Sequence, residues 1–281
     1  MNAPMQFQKA SKSQARLRLA LIGPAGSGKT MTALRIAAAY GGRIALIDTE
    51  HGTASKYADQ FDFQTLDLNR DFDPRRYVEA IHLAEENGFD FLIIDSLSHA
   101  WSGKGGALEQ VDEIKIRSKS NNSFTAWRDV TPIHNDLVES ILQSSCHIIA
   151  TMRSKTEYVQ EKDTSTGKTV IRKVGTVPIQ RDGMEYEFDV VADMTVEHQL
   201  IVSKTRCPAL DGAVIPMPGK EISEELKKWL TDGAPMVVRR FADGSEVPSK
   251  AYEAFDTYTV VNGSPPLDVE ILRAWVKSQK G

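Results

Sequence analysis

Residues Gly23-Pro-Ala-Gly-Ser-Gly-Lys-Thr30 match the pattern G-x-x-x-x-G-K-[ST] at every fixed position. The segment is framed on both sides. Before it, Arg18-Leu-Ala-Leu-Ile22 is a short apolar run that reads as a strand, and after it Met31–Tyr40 reads as a helix. Strand, glycine-rich turn and helix in that order tie the chain to an α/β fold more tightly than any other feature. The glycines let backbone N–H groups turn inward around a phosphate, where a side chain would intrude. Lys29 adds a mobile positive charge for the β- and γ-phosphates, and the Thr30 hydroxyl is suited to Mg²⁺. The helix N-terminus then points at the anion. Gly23, Pro24, Ala25, Gly26, Ser27, Gly28, Lys29 and Thr30 are therefore the candidate triphosphate contacts, with ATP and Mg²⁺ as the expected ligands. No guanine-reading Asn/Thr-Lys-x-Asp motif lies in a suitable loop, which favours ATP over GTP.

Short apolar runs alternate with helical patterns from residue 17 to about 152, as in βαβ units around a mainly parallel sheet. The expected strands are Leu17–Ile22, Arg43–Asp48, Gln64–Leu68, Phe89–Asp95 and His147–Met152. Asp73 and Pro74 open a helix that Gly88 stops, and a second helix runs from Thr125 to Ser144. Beyond Met152 the pattern changes. Thr156–Gln160 and Lys168–Lys173 read as two strands around a turn, followed by Val190–Val196 and Leu200–Arg206 as antiparallel additions to the sheet. Ser223 reads as the cap of a helix ending at Leu230, and Asp268–Ser278 as a final helix. The organisation expected is an N-terminal extension over 1–16, an α/β nucleotide-binding core over 17–230 and a small C-terminal appendage over 231–281.

Composition narrows the class further. The 281 residues are 41% apolar and 26% charged, ordinary values for a soluble domain. No apolar run approaches the roughly 20 residues that span a bilayer. Residues 1–10 lack the apolar core of a secretory signal, and Cys146 and Cys207 are too few for a disulfide framework. A cytoplasmic protein with no membrane partner is expected. The net charge of −4 carries no global attraction for nucleic acid, so any such contact must come from a local patch.

A phosphate loop needs an acidic partner. Phe91-Leu-Ile-Ile-Asp95 is an apolar strand ending in aspartate, and Asp95 would share Mg²⁺ with Thr30. Ser96 follows, where many phosphate-loop ATPases carry the glutamate that activates water. The base must then lie elsewhere. The second strand ends in Asp-Thr-Glu-His51, so Glu50 is the candidate for polarising the attacking water. The alternative for Asp48 and Glu50 is a solvated loop with no catalytic part.

Here the motifs resemble the RecA-like P-loop ATPases. Leu46–His51 is similar to the strand that carries their catalytic glutamate, and Leu92–Ser96 to their Walker B strand, including the serine after the aspartate. Ile201–Pro208 is similar to the strand where they place two basic residues that reach the neighbouring subunit's ATP, roles that would fall on Lys204 and Arg206. The resemblance spans roughly residues 17–220 and is nearest to small phage-encoded, AAA-family members linked to single-strand annealing recombination. It implies a RecA-like core with a mainly parallel sheet extended by antiparallel strands, ATP hydrolysis, and oligomers with shared sites. It also implies single-stranded DNA and a single-strand DNA-binding protein as partners. One departure stands out: the polar Asn-Gln pair that senses the γ-phosphate is replaced by Ala150-Thr-Met-Arg153, leaving Thr151 as a shorter sensor.

Two segments correspond to the loops that line the DNA channel of such proteins, Ser102–Ser123 and Ser154–Asp182. Between Arg153 and Lys173 six basic residues face three acidic ones. Arg153, Lys155, Lys168, Arg172 and Lys173 would track a phosphate backbone, with Tyr158 as a stacking surface. An ordinary solvated hairpin accounts for the same charges. Trp101 and Trp127 flank the first segment and fit core packing better than DNA contact. Two other classes share the phosphate loop: a nucleotide-switched binding module with little turnover, and a kinase, which would need an arginine-rich lid.

Overall fold

The computed structural model describes residues 9–118, 123–162, 169–236, 239–247 and 251–279, apart from the side chains of 157–174. Strands β1 (Arg18–Gly23), β2 (Ile44–Asp48), β3 (Gln64–Asp67), β4 (Phe91–Asp95), β5 (His147–Lys162) and β7 (Val190–Met194) lie parallel in the order β3-β2-β4-β5-β1-β7. β8 (Gln199–Thr205) and β9 (Val214–Pro216) extend that sheet antiparallel, and β6 (Thr169–Pro178) pairs antiparallel with the far half of β5. This is the mostly parallel α/β architecture of a P-loop NTPase core, with antiparallel additions.

The central strands β1, β2 and β4 are apolar at nearly every position because both faces of the sheet are covered there. Alternation decides which side chain goes where. Leu19, Leu21, Leu46 and Ile93 meet α1 (Lys29–Tyr40) and α6 (Lys220–Thr231) on one face. Ala20, Ile22, Ile47 and Ile94 meet α2 (Pro74–Glu86) and α5 (Ser123–Gln143) on the other. α2 begins where the sequence places it: Asp73 accepts a hydrogen bond from the Arg75 N–H, and Pro74 occupies the first turn. A separate small cluster of Phe241, Val247, Phe255 and Leu272 gathers α7 (Tyr252–Asn262) and α8 (Val269–Ser278). No helix of the described residues is long and apolar enough to cross a membrane.

Four expectations are corrected. Val190–Val196 is not an antiparallel addition to the sheet: β7 runs parallel to β1, and only from β8 onward does the sheet turn antiparallel. Ser223 is not a helix cap, because α6 already starts at Lys220; its buried hydroxyl donates to the Ile36 carbonyl and ties α6 to α1. The segment after β4 is not an open loop. It holds α3 (Ser98–Ser102) and α4 (Ala107–Ser118), since Trp101 and Trp127 stack at 5.4 Å over Ala107, Val111, Ala126 and Val130. Finally, His147–Met152 and Thr156–Gln160 are one strand. β5 leaves the parallel sheet and continues as the first leg of the β5–β6 hairpin.

One core group carries a pH dependence. His147 is 5% exposed at the start of β5, and its Nδ1 accepts the Leu17 N–H, so that nitrogen is unprotonated. Burial, with Arg16 and Arg18 nearby, pushes its pKa down from 6.5 to about 3. The unfolded chain takes up a proton below about pH 6.5 that the native protein refuses. The stabilisation is complete above that pH and is lost progressively as pH falls towards 3, by roughly 1.4 kcal/mol per unit. Urea unfolding should therefore show His147→Gln losing about 2 kcal/mol less than the wild type between pH 7 and pH 5.

Candidate active site

The site forms where the parallel strands end, since each βα turn opens at that edge. Register sets its members. Gly23 of β1 lies beside Arg153 of β5, Ile94 of β4 beside Ala150, and Asp95 beside Asp48 of β2. Gly23 is required on steric grounds: a Cβ there would sit 2.6 Å from the Met194 carbonyl oxygen. Gly28 adopts φ +87°, in the left-handed region, and delivers the chain into α1.

The side chains converge on one carboxylate. Asp95 is 2% exposed; its Oδ2 accepts the Thr30 hydroxyl at 2.6 Å and its Oδ1 accepts the Thr151 hydroxyl at 2.5 Å. Burial raises its pKa, with the neighbouring charges of Glu50 and Asp48 adding to the shift and the two threonine bonds opposing it. The Asp95–Ser96 peptide bond is cis. Lys29 lies back on the loop, donating to the Gly23 and Pro24 carbonyls at 2.9 and 2.8 Å. Burial lowers its pKa against the pull of Asp95 and Glu50.

Asp48 is a scaffold. Fully buried, it accepts the N–H of Glu50 at 2.7 Å and of Ala54 at 3.1 Å, folding residues 49–54 into a turn that carries Glu50 over the strand ends. Glu50 there meets Arg153 in a two-pronged ion pair, Nε to Oε1 at 2.9 Å and Nη2 to Oε2. Burial alone would raise the Glu50 pKa, but the Arg153 hydrogen bonds and charge outweigh it, with His99 and Lys29 helping, and hold it below 4.5. Arg153 thus belongs to this cluster, its guanidinium engaged by a carboxylate beside the phosphate loop. Thr151, expected as a sensor, commits its hydroxyl to Asp95.

Lys204 and Arg206 are elsewhere. β8 runs antiparallel to β7, and Thr205 pairs with Val190, which pairs in turn with Leu19 near the start of β1. Both residues therefore lie at the end of the sheet opposite their own phosphate loop. Lys204 donates to the Tyr186 and Phe188 carbonyls, and Arg206 pairs with Asp189 at 2.6 Å. Of the hairpin candidates, Lys155 is exposed at its base, and the β5–β6 register sets Tyr158 opposite Lys173 and Val159 opposite Arg172. The side chains of Tyr158, Arg172 and Lys173 lie outside the described residues, as does Lys168 altogether.

Several neighbours carry no motif. Thr49 bonds His99 Nδ1 at 2.7 Å and accepts the Ser96 N–H at 2.8 Å, bracing β2 against β4. A cavity of about 370 Å³ continues outward from Gly26, Gly28, Lys29 and Thr30, lined by Arg35, Tyr57, His198, Met217 and Pro218. His198 and Met217 both have positive φ, 61° and 50°, and the Met217 N–H donates to the His198 carbonyl at 3.1 Å. Backbone strain of this kind gathers at functional sites. The lining comes from four separate stretches of chain, which no local pattern connects.

The geometry suits a magnesium triphosphate. Asp95, Thr30 and Thr151 offer only hard oxygen donors, and the buried hydroxyls of Ser27 and Ser96 beside them have no partner among the described residues. No curated protein matches the chain. A protein-family model described as "AAA domain" matches residues 15–211, which run from just before β1 past β8 and take in the phosphate loop, Glu50, Asp95, Thr151 and Arg153. With well over half its length matched, the chain belongs to this family of P-loop ATPases.

Proposed function

We propose that this chain hydrolyses ATP with Mg²⁺ and couples turnover to single-stranded DNA, in recombination or annealing of the kind carried out by phage-encoded proteins. The observation that supports it most is the convergence of Thr30 and Thr151 on Asp95, with Glu50 and Lys29 alongside. In this reading the loop 23–30 holds the phosphates and Lys29 leaves the Gly23 and Pro24 carbonyls for the β- and γ-oxygens. Thr30 and Asp95 would hold Mg²⁺, which neutralises phosphate charge when bound. The cavity beyond Gly28 is of the right character for base and ribose, with Tyr57, Met217 and Pro218 as apolar walls. Glu50 orients water. The water oxygen bonds to the γ-phosphorus, the bridging P–O bond breaks towards ADP, and the water proton passes to the Glu50 carboxylate.

Lys204 and Arg206 suit a role on a neighbour's nucleotide, because they sit at the far end of the sheet from their own. Copies stacked head to tail would bring them to the next phosphate loop, where such cations contribute about 10³–10⁵ in rate. The β5–β6 hairpin, with Lys155 at its base and Tyr158, Arg172 and Lys173 in its strands, is the proposed DNA surface, together with Lys168, which lies outside the described residues. A single-strand DNA-binding protein and the bacterial cytoplasm fit the same setting.

The test is steady-state ATP hydrolysis at low salt with and without single-stranded DNA. DNA should raise the rate, Lys29→Ala should lower it by about 10²-fold or more, and Lys204→Ala or Arg206→Ala should blunt the DNA response. Hydrolysis indifferent to DNA would remove the recombination reading and leave a nucleotide-switched partner binder.

A further inference from the structure

The Glu50–Arg153 pair joins the group proposed to activate water to a cation that no motif assigns to the nucleotide. Strand register and two hydrogen bonds hold the Arg153 backbone. It pairs with Gly23 across β1 and β5, its N–H donates to Ser98 Oγ at 2.9 Å, and its carbonyl accepts the Ile179 N–H at 2.7 Å. The residue's backbone is therefore anchored at the base of the phosphate loop, at the point where β5 leaves the parallel sheet. Its side chain is under no such constraint. Arg153 and Glu50 side chains are 45% and 26% exposed, so their mutual attraction is weakened by water and easily exchanged. A guanidinium prefers a bidentate oxyanion, and a terminal phosphoryl group carries more charge than the carboxylate it would displace.

We propose that Arg153 is the chain's own γ-phosphate sensor: it clasps Glu50 in the nucleotide-free protein and transfers to the γ-phosphoryl oxygens when ATP binds, releasing Glu50 to the water. ADP has no γ-phosphoryl group and leaves the clasp closed. The same side chain thus distinguishes the two nucleotides and keeps the base occupied until substrate arrives. The proximity of charges agrees, since Arg153 acts on Lys29 as well as on Glu50. With Thr151 committed to Asp95, Arg153 supplies a polar sensor on the same strand two residues on. The inference rests on the nucleotide reading of the site, and its hydrolytic part on Glu50 as the base.

The experiment measures binding of ADP and of a non-hydrolysable ATP analogue, with Mg²⁺, to the full chain by calorimetry. Arg153→Ala should leave ADP affinity within about twofold and lower analogue affinity by about tenfold or more, the worth of one charge-assisted bond. Arg153→Lys should recover part of the loss. Glu50→Gln should tighten the analogue and not ADP, because the neutral amide competes less well for the guanidinium. Equal effects of Arg153→Ala on both nucleotides, or none on either, would overturn the proposal and leave the pair a structural clasp. So would a loss of single-stranded DNA affinity in place of the loss of discrimination. Glu50 as base is tested separately by hydrolysis. A Glu50→Gln protein that turns over at the wild-type rate removes that role, while the binding arms still decide whether Arg153 reads the γ-phosphate.

Discussion

Asp95→Asn should cost at least about 10³-fold in kcat for ATP hydrolysis while making the nucleotide-free protein more stable. The first effect follows from charge. Asp95 is the carboxylate on which Thr30 and Thr151 converge, and an amide offers a Mg²⁺ ion no negative charge; about 4 kcal/mol of electrostatic stabilisation corresponds to a thousandfold. The second follows from burial. Removal from water, together with Glu50 and Asp48, disfavours the ionised form, and the two threonine bonds only partly offset this. An amide of the same size removes the charge. A gain of roughly 1 kcal/mol or more, about 2 °C in Tm, is the expected size. Parallel thermal melts and single-turnover assays would read both. A variant that is inactive and less stable would mean that Asp95 is held chiefly for the fold.

Glu50→Gln should lower kcat by about 10²–10⁴-fold, the usual contribution of a positioned general base, with ADP affinity kept. Glutamine preserves the shape and one acceptor for Arg153, so the turn built on Asp48 remains intact. Protonation predicts the pH behaviour. Burial is outweighed by Arg153, which holds the Glu50 carboxylate below 4.5. The ion pair's stabilising contribution is complete above that unfolded-chain value and is lost as pH falls through the lower folded one. The ratio kcat/KM, which reports the nucleotide-free protein in which Arg153 still holds Glu50, should thus show no Glu50-dependent fall between pH 8 and 5. A pH–rate profile with such a fall near neutrality would point to another base.

The phosphate loop, the apolar strand ending in Asp95 and the alternating strands and helices were all legible in the chain. Each depends on residues close in sequence: a glycine at position 28 where the turn needs φ +87°, an Asp-Pro start for α2, period-two alternation in β1. Local pattern failed where a residue's partner came from a distant element. Ser223 reads as a cap because it precedes a helical run, yet its hydroxyl bonds Ile36. Arg153 reads as part of a basic stretch, yet the turn after β2 supplies the carboxylate that holds it. Ser102–Ser123 corresponds by resemblance to a channel-lining loop, yet stacking of Trp101 on Trp127 makes α4 and α5 a packed pair.

By itself the sequence determined that this is an α/β P-loop protein with an acidic strand end, because a phosphate cradle is a backbone shape that a few adjacent residues dictate. The tertiary structure alone decided which side chains share the site: Thr151 with Asp95, Arg153 with Glu50, His198 and Met217 beyond Gly28, and Lys204 and Arg206 at the opposite end. Strand order and register set those distances, and both arise from burying the two faces of the whole sheet at once.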